Sequence, residues 1–138
     1  MIKIDNEKIF RVLDANLNRA REGLRVLEDT ARFVWDDRGL FTVLRKARHD
    51  LDKATRSAYP HLVAGRESAK DMGRRMAEGQ SRDWPGLVAA NFRRAQEALR
   101  VLEEYGKVFA PGAAGAFKKI RFQLYRAEKK SLRLRKDG

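Results

Sequence analysis

The chain has no cysteine, which excludes a disulfide framework and a thiolate zinc site and is compatible with a reducing compartment. Histidine is nearly missing as well. His49 and His61 are the whole supply, poor support for a hydrolytic triad. There is no Gly-x4-Gly-Lys-[Ser/Thr] loop, no Gly-x-Gly-x-x-Gly fingerprint and no His-Glu-x-x-His pair. No apolar run approaches the roughly 18 residues that a membrane span needs. Met1-Ile2-Lys3-Ile4 leads straight into charged sequence, so a soluble, cytoplasmic protein with no membrane association is expected. Acidic residues are outnumbered by basic ones, leaving a formal charge of +12. That balance favours polyanionic ligands: nucleic acid, acidic lipid or phosphorylated small molecules.

What is present is a duplication. Ala15-Asn16-Leu17-Asn18-Arg19-Ala20-Arg21-Glu22-Gly23-Leu24-Arg25-Val26-Leu27-Glu28 returns 75 positions later as Ala90-Asn91-Phe92-Arg93-Arg94-Ala95-Gln96-Glu97-Ala98-Leu99-Arg100-Val101-Leu102-Glu103, with ten of fourteen positions identical. Duplicated core packing would keep the apolar residues and let the polar ones drift. Here Asn16/Asn91, Arg19/Arg94, Glu22/Glu97, Arg25/Arg100 and Glu28/Glu103 all recur. On a helix, Leu13, Leu17, Ala20, Leu24, Leu27 and Ala31 share one arc that would enter a core. Asn16 falls inside the edge of that arc, Arg19, Glu22 and Val26 lie on its shoulder, and Arg25 points away. A buried asparagine must have its amide satisfied. Either it ties two helices together, or Asn16 and Asn91 line an internal polar site with Arg19 and Arg94 at its rim. Solvated i,i+3 pairs among Glu22, Arg25 and Glu28 would be worth only tenths of a kcal/mol, too little to explain their retention.

Along the chain, Asp5 reads as an N-cap and the first helix continues to about Val34. Asp36-Asp37-Arg38-Gly39 breaks the pattern. A second helix runs from about Leu40 to Ala58, with Leu40, Val43, Leu44, Ala47 and Leu51 inward, and is stopped by Tyr59-Pro60. Arg45, Arg48, His49 and Asp52 form a separate stripe on it, either a solvated basic face or a phosphate cradle. Periodicity weakens from His61 to Asp83, apart from a short helical stretch around Arg74 to Ala77. Asp71-Met72-Gly73 there reads as a turn or as a lid carrying an acidic metal ligand. Asp83-Trp84-Pro85 opens a third helix, which carries the second repeat to about Phe109 and is ended by Pro111-Gly112. The fourth runs from about Ala113 to Arg135, with Phe117, Ile120, Leu124 and Ala127 inward. Its Gly115-x-Phe117-x-x-Ile120-Arg121 echoes Gly39-x-Phe41-x-x-Leu44-Arg45. The expected architecture is one all-α domain over 1–138: an antiparallel four-helix bundle of two duplicated hairpins, about 5–58 and 84–136, joined by a long loop at 59–83. The paired Asn-Arg-Glu faces should converge across its pseudo-twofold axis. Residue chemistry alone reaches a phosphorylated ligand held in a helical bundle, with arginines for phosphate and carboxylates for Mg²⁺.

The ordered series Asp14-Ala15-Asn16 to Leu27-Glu28-Asp29, Leu44-Arg45-x-x-Arg48-His49-Asp50-Leu51, Asp71-x-Gly73 and Ala90-Asn91-x-x-Arg94-Ala95-Gln96-Glu97 to Glu104-Tyr105 resembles the small helical hydroxymethylpyrimidine phosphate kinases of thiamine biosynthesis. That domain is often fused ahead of thiamine phosphate synthase. The likeness covers nearly the whole chain, with Met72 in place of an expected valine and Thr30 in place of a common aromatic. It implies ATP-dependent phosphorylation of 4-amino-5-hydroxymethyl-2-methylpyrimidine phosphate to the diphosphate, with Mg²⁺ accompanying ATP. Within that reading Arg19, Arg94, Arg45 and Arg48 are assigned to phosphates. Asn16, Asn91, His49 and Arg66 are assigned to substrate, and Asp71, Glu22 and Glu97 to the metal. Tyr59, Trp84 and Tyr105 are core or boundary aromatics that could also stack on a ring. The rival readings are a basic nucleic-acid-binding module, disfavoured by the glutamates interleaved with the repeat's arginines, and an assembly domain with a homodimer seam through Arg25 and Arg100.

Overall fold

A computed structural model of the chain describes residues 6–66, 71–73 and 82–137, with side chains as far as Leu134. Four long helices pack together with a short fifth: α1 (Asn6–Asp29), α2 (Arg38–Thr55), α3 (Tyr59–Ala64), α4 (Trp84–Phe109) and α5 (Pro111–Asp137). Among the described residues there is no strand, and no helix is long and apolar enough to cross a membrane. Asp5 and the stretch 74–77 lie outside the described residues.

Side chains set the boundaries. Asp37 caps α2 by accepting from the Leu40 N–H at 2.8 Å, and Asp83 caps α4 by accepting from the Gly86 N–H at 2.7 Å. Three boundaries differ from expectation. The end of the first helix widens into a π turn at Thr30–Val34, where the Trp35 N–H reaches back five residues to the Thr30 carbonyl. The second helix stops at Thr55, and Tyr59-Pro60 starts α3, because proline in a first turn forfeits no helical hydrogen bond. Pro111 likewise opens α5, leaving Ala110 alone between α4 and α5.

The helices close into a ring in which α1 packs on α2 and α4, and α5 on α4 and α2. The expected inward arcs are the observed ones. Leu17, Ala20, Leu24, Leu27 and Ala31 meet Leu40, Leu44, Ala47 and Leu51, together with Phe92, Ala95, Leu99 and Leu102 and with Phe117, Ile120, Leu124 and Ala127. Each fully buried leucine is worth about 1.5–3 kcal/mol against exposure. α3 is held to the ring by buried Leu62 and by His61 stacked on Phe10 at 5.8 Å.

The duplication is also visible in polar ties between helices. Arg21 meets Asp52 at 3.2 Å, and the corresponding Gln96 meets Glu128 at 2.9 Å. Glu28 and Glu103, which are 2% and 3% exposed, each take a guanidinium from the following long helix. Arg48 chelates Glu28 through Nε and Nη2, and Arg121 donates Nε and Nη2 to Glu103 Oε2 at 3.1 and 2.8 Å. A third Arg121 donor reaches the Tyr125 hydroxyl at 3.0 Å. These glutamates are therefore buried anchors, and Glu103 keeps only a longer contact of 3.8 Å with its i,i+3 neighbour Arg100.

Candidate functional site

The α1–α4 contact needs a gap in the side chains, and Gly23 supplies it. A Cβ on Gly23 would lie 3.1 Å from the Asn91 carbonyl oxygen and 3.4 Å from Ala95 Cβ. Glycine therefore lets the two backbones approach. Along the same seam lies a cavity of about 700 Å³ lined by Asn16, Arg19, Glu22, Gly23, Val26, Asn91, Arg94, Glu97, Ala98 and Val101. These ten residues are five repeat pairs, each separated by 75 positions. The register follows from two facts. Gly23 lies level with Asn91–Ala95, and Asn16 shares the cavity with Val101. Only an antiparallel crossing satisfies both. With Gly23 level with the middle of Asn91–Ala95, it puts the pseudo-twofold axis beside Ala20 of α1 and Ala95 of α4, so that Arg19 and Glu22 of one helix and Arg94 and Glu97 of the other lie about equally near it. One end is made by Asn16 with Ala98 and Val101, and the other by Asn91 with Gly23 and Val26.

Asn16 and Asn91 are both 5% exposed. Each donates its amide nitrogen to the carbonyl four residues back on its own helix, Val12 at 2.9 Å and Leu87 at 2.8 Å. Neither ties two helices together. With the nitrogen committed to the backbone, the side-chain oxygen remains as an acceptor, and Arg19 Nη1 approaches that of Asn16 at 3.5 Å. Among the described residues no hydrogen bond or ion pair engages Arg94, Glu22 or Glu97. The contrast with Arg48 and Arg121 is the informative point. Cations that hold the scaffold are paired with carboxylates, whereas those at the cavity keep their donors available to a ligand.

Two guanidinium groups can each fork onto a phosphate. Two carboxylates in the same cavity cancel their formal charge, so a polyanion alone would meet no net attraction there. A family model, the ThiD2 family, matches residues 11–130, a span that contains every residue of the cavity. The chain belongs to the ThiD2 family. It is 40% identical over 123 residues to a thiamine-phosphate synthase of Nostoc punctiforme, 42% over 129 to one of Rhodopirellula baltica, and 41% over 124 to one of Thermosynechococcus vestitus. These alignments cover 87%, 91% and 88% of the chain but 34% of each relative. The chain thus spans about a third of the length of these relatives. No solved structure matches.

The remaining expected residues of this ThiD2 family member lie apart from the cavity. Arg45 and His49 are exposed on α2, which contributes nothing to the lining. Arg48 is committed to Glu28, and that hydrogen bond holds its guanidinium pKa above the ordinary arginine value. Arg48, assigned to phosphate from the sequence, is thus engaged by a carboxylate and does not line the cavity. Arg66 is similarly engaged. It chelates buried Asp14 at 2.8 and 3.0 Å, pinning the chain beyond α3 onto α1, and the same bond raises its pKa. Asp71 is exposed and accepts from the Gly73 N–H at 2.8 Å, the local turn that its sequence suggested. Among the described residues no three His, Asp or Glu side chains cluster to hold a metal. Asp71 therefore does not join Glu22 and Glu97 in a protein cage. Tyr59, Trp84 and Tyr105 are exposed and line no part of the cavity. The wall residues Val26, Val101, Gly23 and Ala98 were readable from the repeat itself, since each occupies the helix shoulder beside Asn16 or Asn91.

Proposed function

We propose that the chain is a phosphotransferase acting on a phosphorylated pyrimidine: it transfers the γ-phosphoryl group of ATP to 4-amino-5-hydroxymethyl-2-methylpyrimidine phosphate. The single observation that carries this reading is the cavity of five repeat pairs, which gathers Arg19, Arg94, Glu22 and Glu97 along one seam. Membership of the ThiD2 family and the likeness to thiamine-phosphate synthases support the pyrimidine as substrate. The acceptor oxygen belongs to a phosphate monoester whose second pKa is near 6. It is ionised at neutral pH and needs no general base, in keeping with a cavity that contains no histidine.

The work left to the protein is positioning and charge neutralisation. Arg19 and Arg94 hold phosphate oxygens, and Asn16 and Asn91 present side-chain oxygens that can accept from an aminopyrimidine or from a metal-bound water. Glu22 and Glu97 suit Mg²⁺, which commonly takes one or two carboxylates and completes its octahedron with substrate phosphates and water. Bound in this way, Mg²⁺ would supply the positive charge that the balanced cavity lacks.

Incubation with ATP, Mg²⁺ and the pyrimidine monophosphate should yield the diphosphate, and its absence from the products would end this reading. The free alcohol should be used at least about a hundredfold less efficiently, because it lacks the phosphate onto which the arginines fork and so forfeits those charge-assisted hydrogen bonds. Comparable turnover of the alcohol would remove the phosphate-binding role. kcat/KM should also fall about tenfold per pH unit below roughly pH 6, as the monoester takes up its second proton. An acceptor analogue with a shifted phosphate pKa should move that limb with it. A limb that stays fixed would assign the titration to the protein.

A further inference from the structure

We infer that the duplicated cavity is matched to a transition state that is itself pseudo-twofold symmetric, with the transferring phosphorus on the axis between Arg19 and Arg94. This rests on the phosphotransferase reading above. In the transfer, an oxygen of the acceptor monoester forms a bond to the γ-phosphorus while the bond from that phosphorus to the β–γ bridging oxygen breaks. The bonding pair leaves with ADP, and no proton has to move. Both the attacking and the departing oxygen are therefore attached to a further phosphorus, giving P–O···P···O–P in a row. An alcohol acceptor would give C–O···P···O–P, which has no such symmetry.

The lining follows the same pattern. Arg19, Arg94, Glu22 and Glu97 lie nearest the axis, so the arginines meet the moving phosphoryl group and the carboxylates sit beside them. Each end offers one buried asparagine, Asn16 towards Val101 and Asn91 towards Val26. Outside those polar groups the ends differ chiefly in Gly23 against Ala98. One end therefore takes the nucleotide and the other the monoester, both in a single cavity. Duplication supplies the flanking-phosphate sites twice from one sequence, which accounts for the recurrence of Asn16/Asn91, Arg19/Arg94 and Glu22/Glu97, while Glu28/Glu103 recur as buried anchors.

The test uses the whole chain and ligand binding measured by calorimetry. A bridged analogue, adenosine joined to the pyrimidine through an oligophosphate, should bind one per chain. Val26→Phe narrows the Asn91 end and Val101→Phe the Asn16 end, with thermal melts checking that each variant folds. One substitution should weaken a non-hydrolysable ATP analogue with Mg²⁺ at least tenfold and change monoester binding less than twofold. The other should do the reverse, and either should weaken the bridged analogue at least tenfold. Two bridged analogues per chain would overturn the inference, and this arm needs no variant. So would both substitutions acting on the same ligand, or on neither. If the wild-type chain makes no diphosphate, the phosphotransferase reading itself fails. If it makes diphosphate and the binding results are adverse, only the shared-axis site is lost.

Discussion

Glu103→Ala should lower the unfolding free energy by about 3–5 kcal/mol, the range for stripping one partner from a buried ion pair. The carboxylate is nearly inaccessible and receives two donors from Arg121, whose side chain is only 9% exposed. Truncation would leave that guanidinium desolvated, with the Tyr125 hydroxyl as its remaining partner. Glu28→Ala should cost somewhat less, because the Arg48 side chain is 18% exposed and water can reach it. At this chain length such losses correspond to about 10–20 °C in Tm. Replacing the Glu103–Arg121 pair together by apolar residues of similar volume should recover most of the loss, since the penalty lies in the orphaned charge. Thermal and urea melts of the single and double variants decide the matter. A Glu103→Ala change below about 1 kcal/mol would mean that the pair behaves as a solvated surface bridge.

That pair also marks the limit of what the sequence makes legible. Helix identity and core arcs follow from apolar spacing, because a residue's burial on an amphipathic helix depends mostly on its angle. Convergence of Asn16, Arg19 and Glu22 with Asn91, Arg94 and Glu97 was also readable, since repeated polar residues need a reason beyond packing. The burial of Glu28 and Glu103 was not. A helical wheel places them at the edge of the apolar arc, Glu28 beside Leu17 and Leu24 and Glu103 beside Phe92 and Leu99, but does not name the cation that makes burial tolerable. Aligning the halves sets Arg45 against Arg121, yet the structure gives Glu28 to Arg48, three positions later and on a neighbouring part of the same helix. A long guanidinium can serve a carboxylate from either turn, so sequence position underdetermines the partner. The π turn is a backbone slip with no side-chain period to announce it. α3 is too short for periodicity to detect.

Arg19→Ala and Arg94→Ala should each reduce kcat/KM for diphosphate formation at least tenfold, about 1.4 kcal/mol of transition-state stabilisation. The double variant should fall well short of the product of the single losses, because groups that hold one transition state fail together. Stability should scarcely change. Both side chains are exposed at the cavity, and neither carries a buried carboxylate as Arg48 and Arg121 do. Lysine at either position should restore only part of the activity, since it keeps the charge and loses the planar fork. This pattern separates a shared site from two helices that each keep their own polar face. In the latter case the losses would be small and would multiply. The measurement is a double-mutant cycle in kcat/KM beside thermal melts. Small additive effects, or losses accounted for by unfolding, would mean that the repeat is scaffold and that phosphate is handled elsewhere, with the exposed Arg45–His49 stripe of α2 the next place to look.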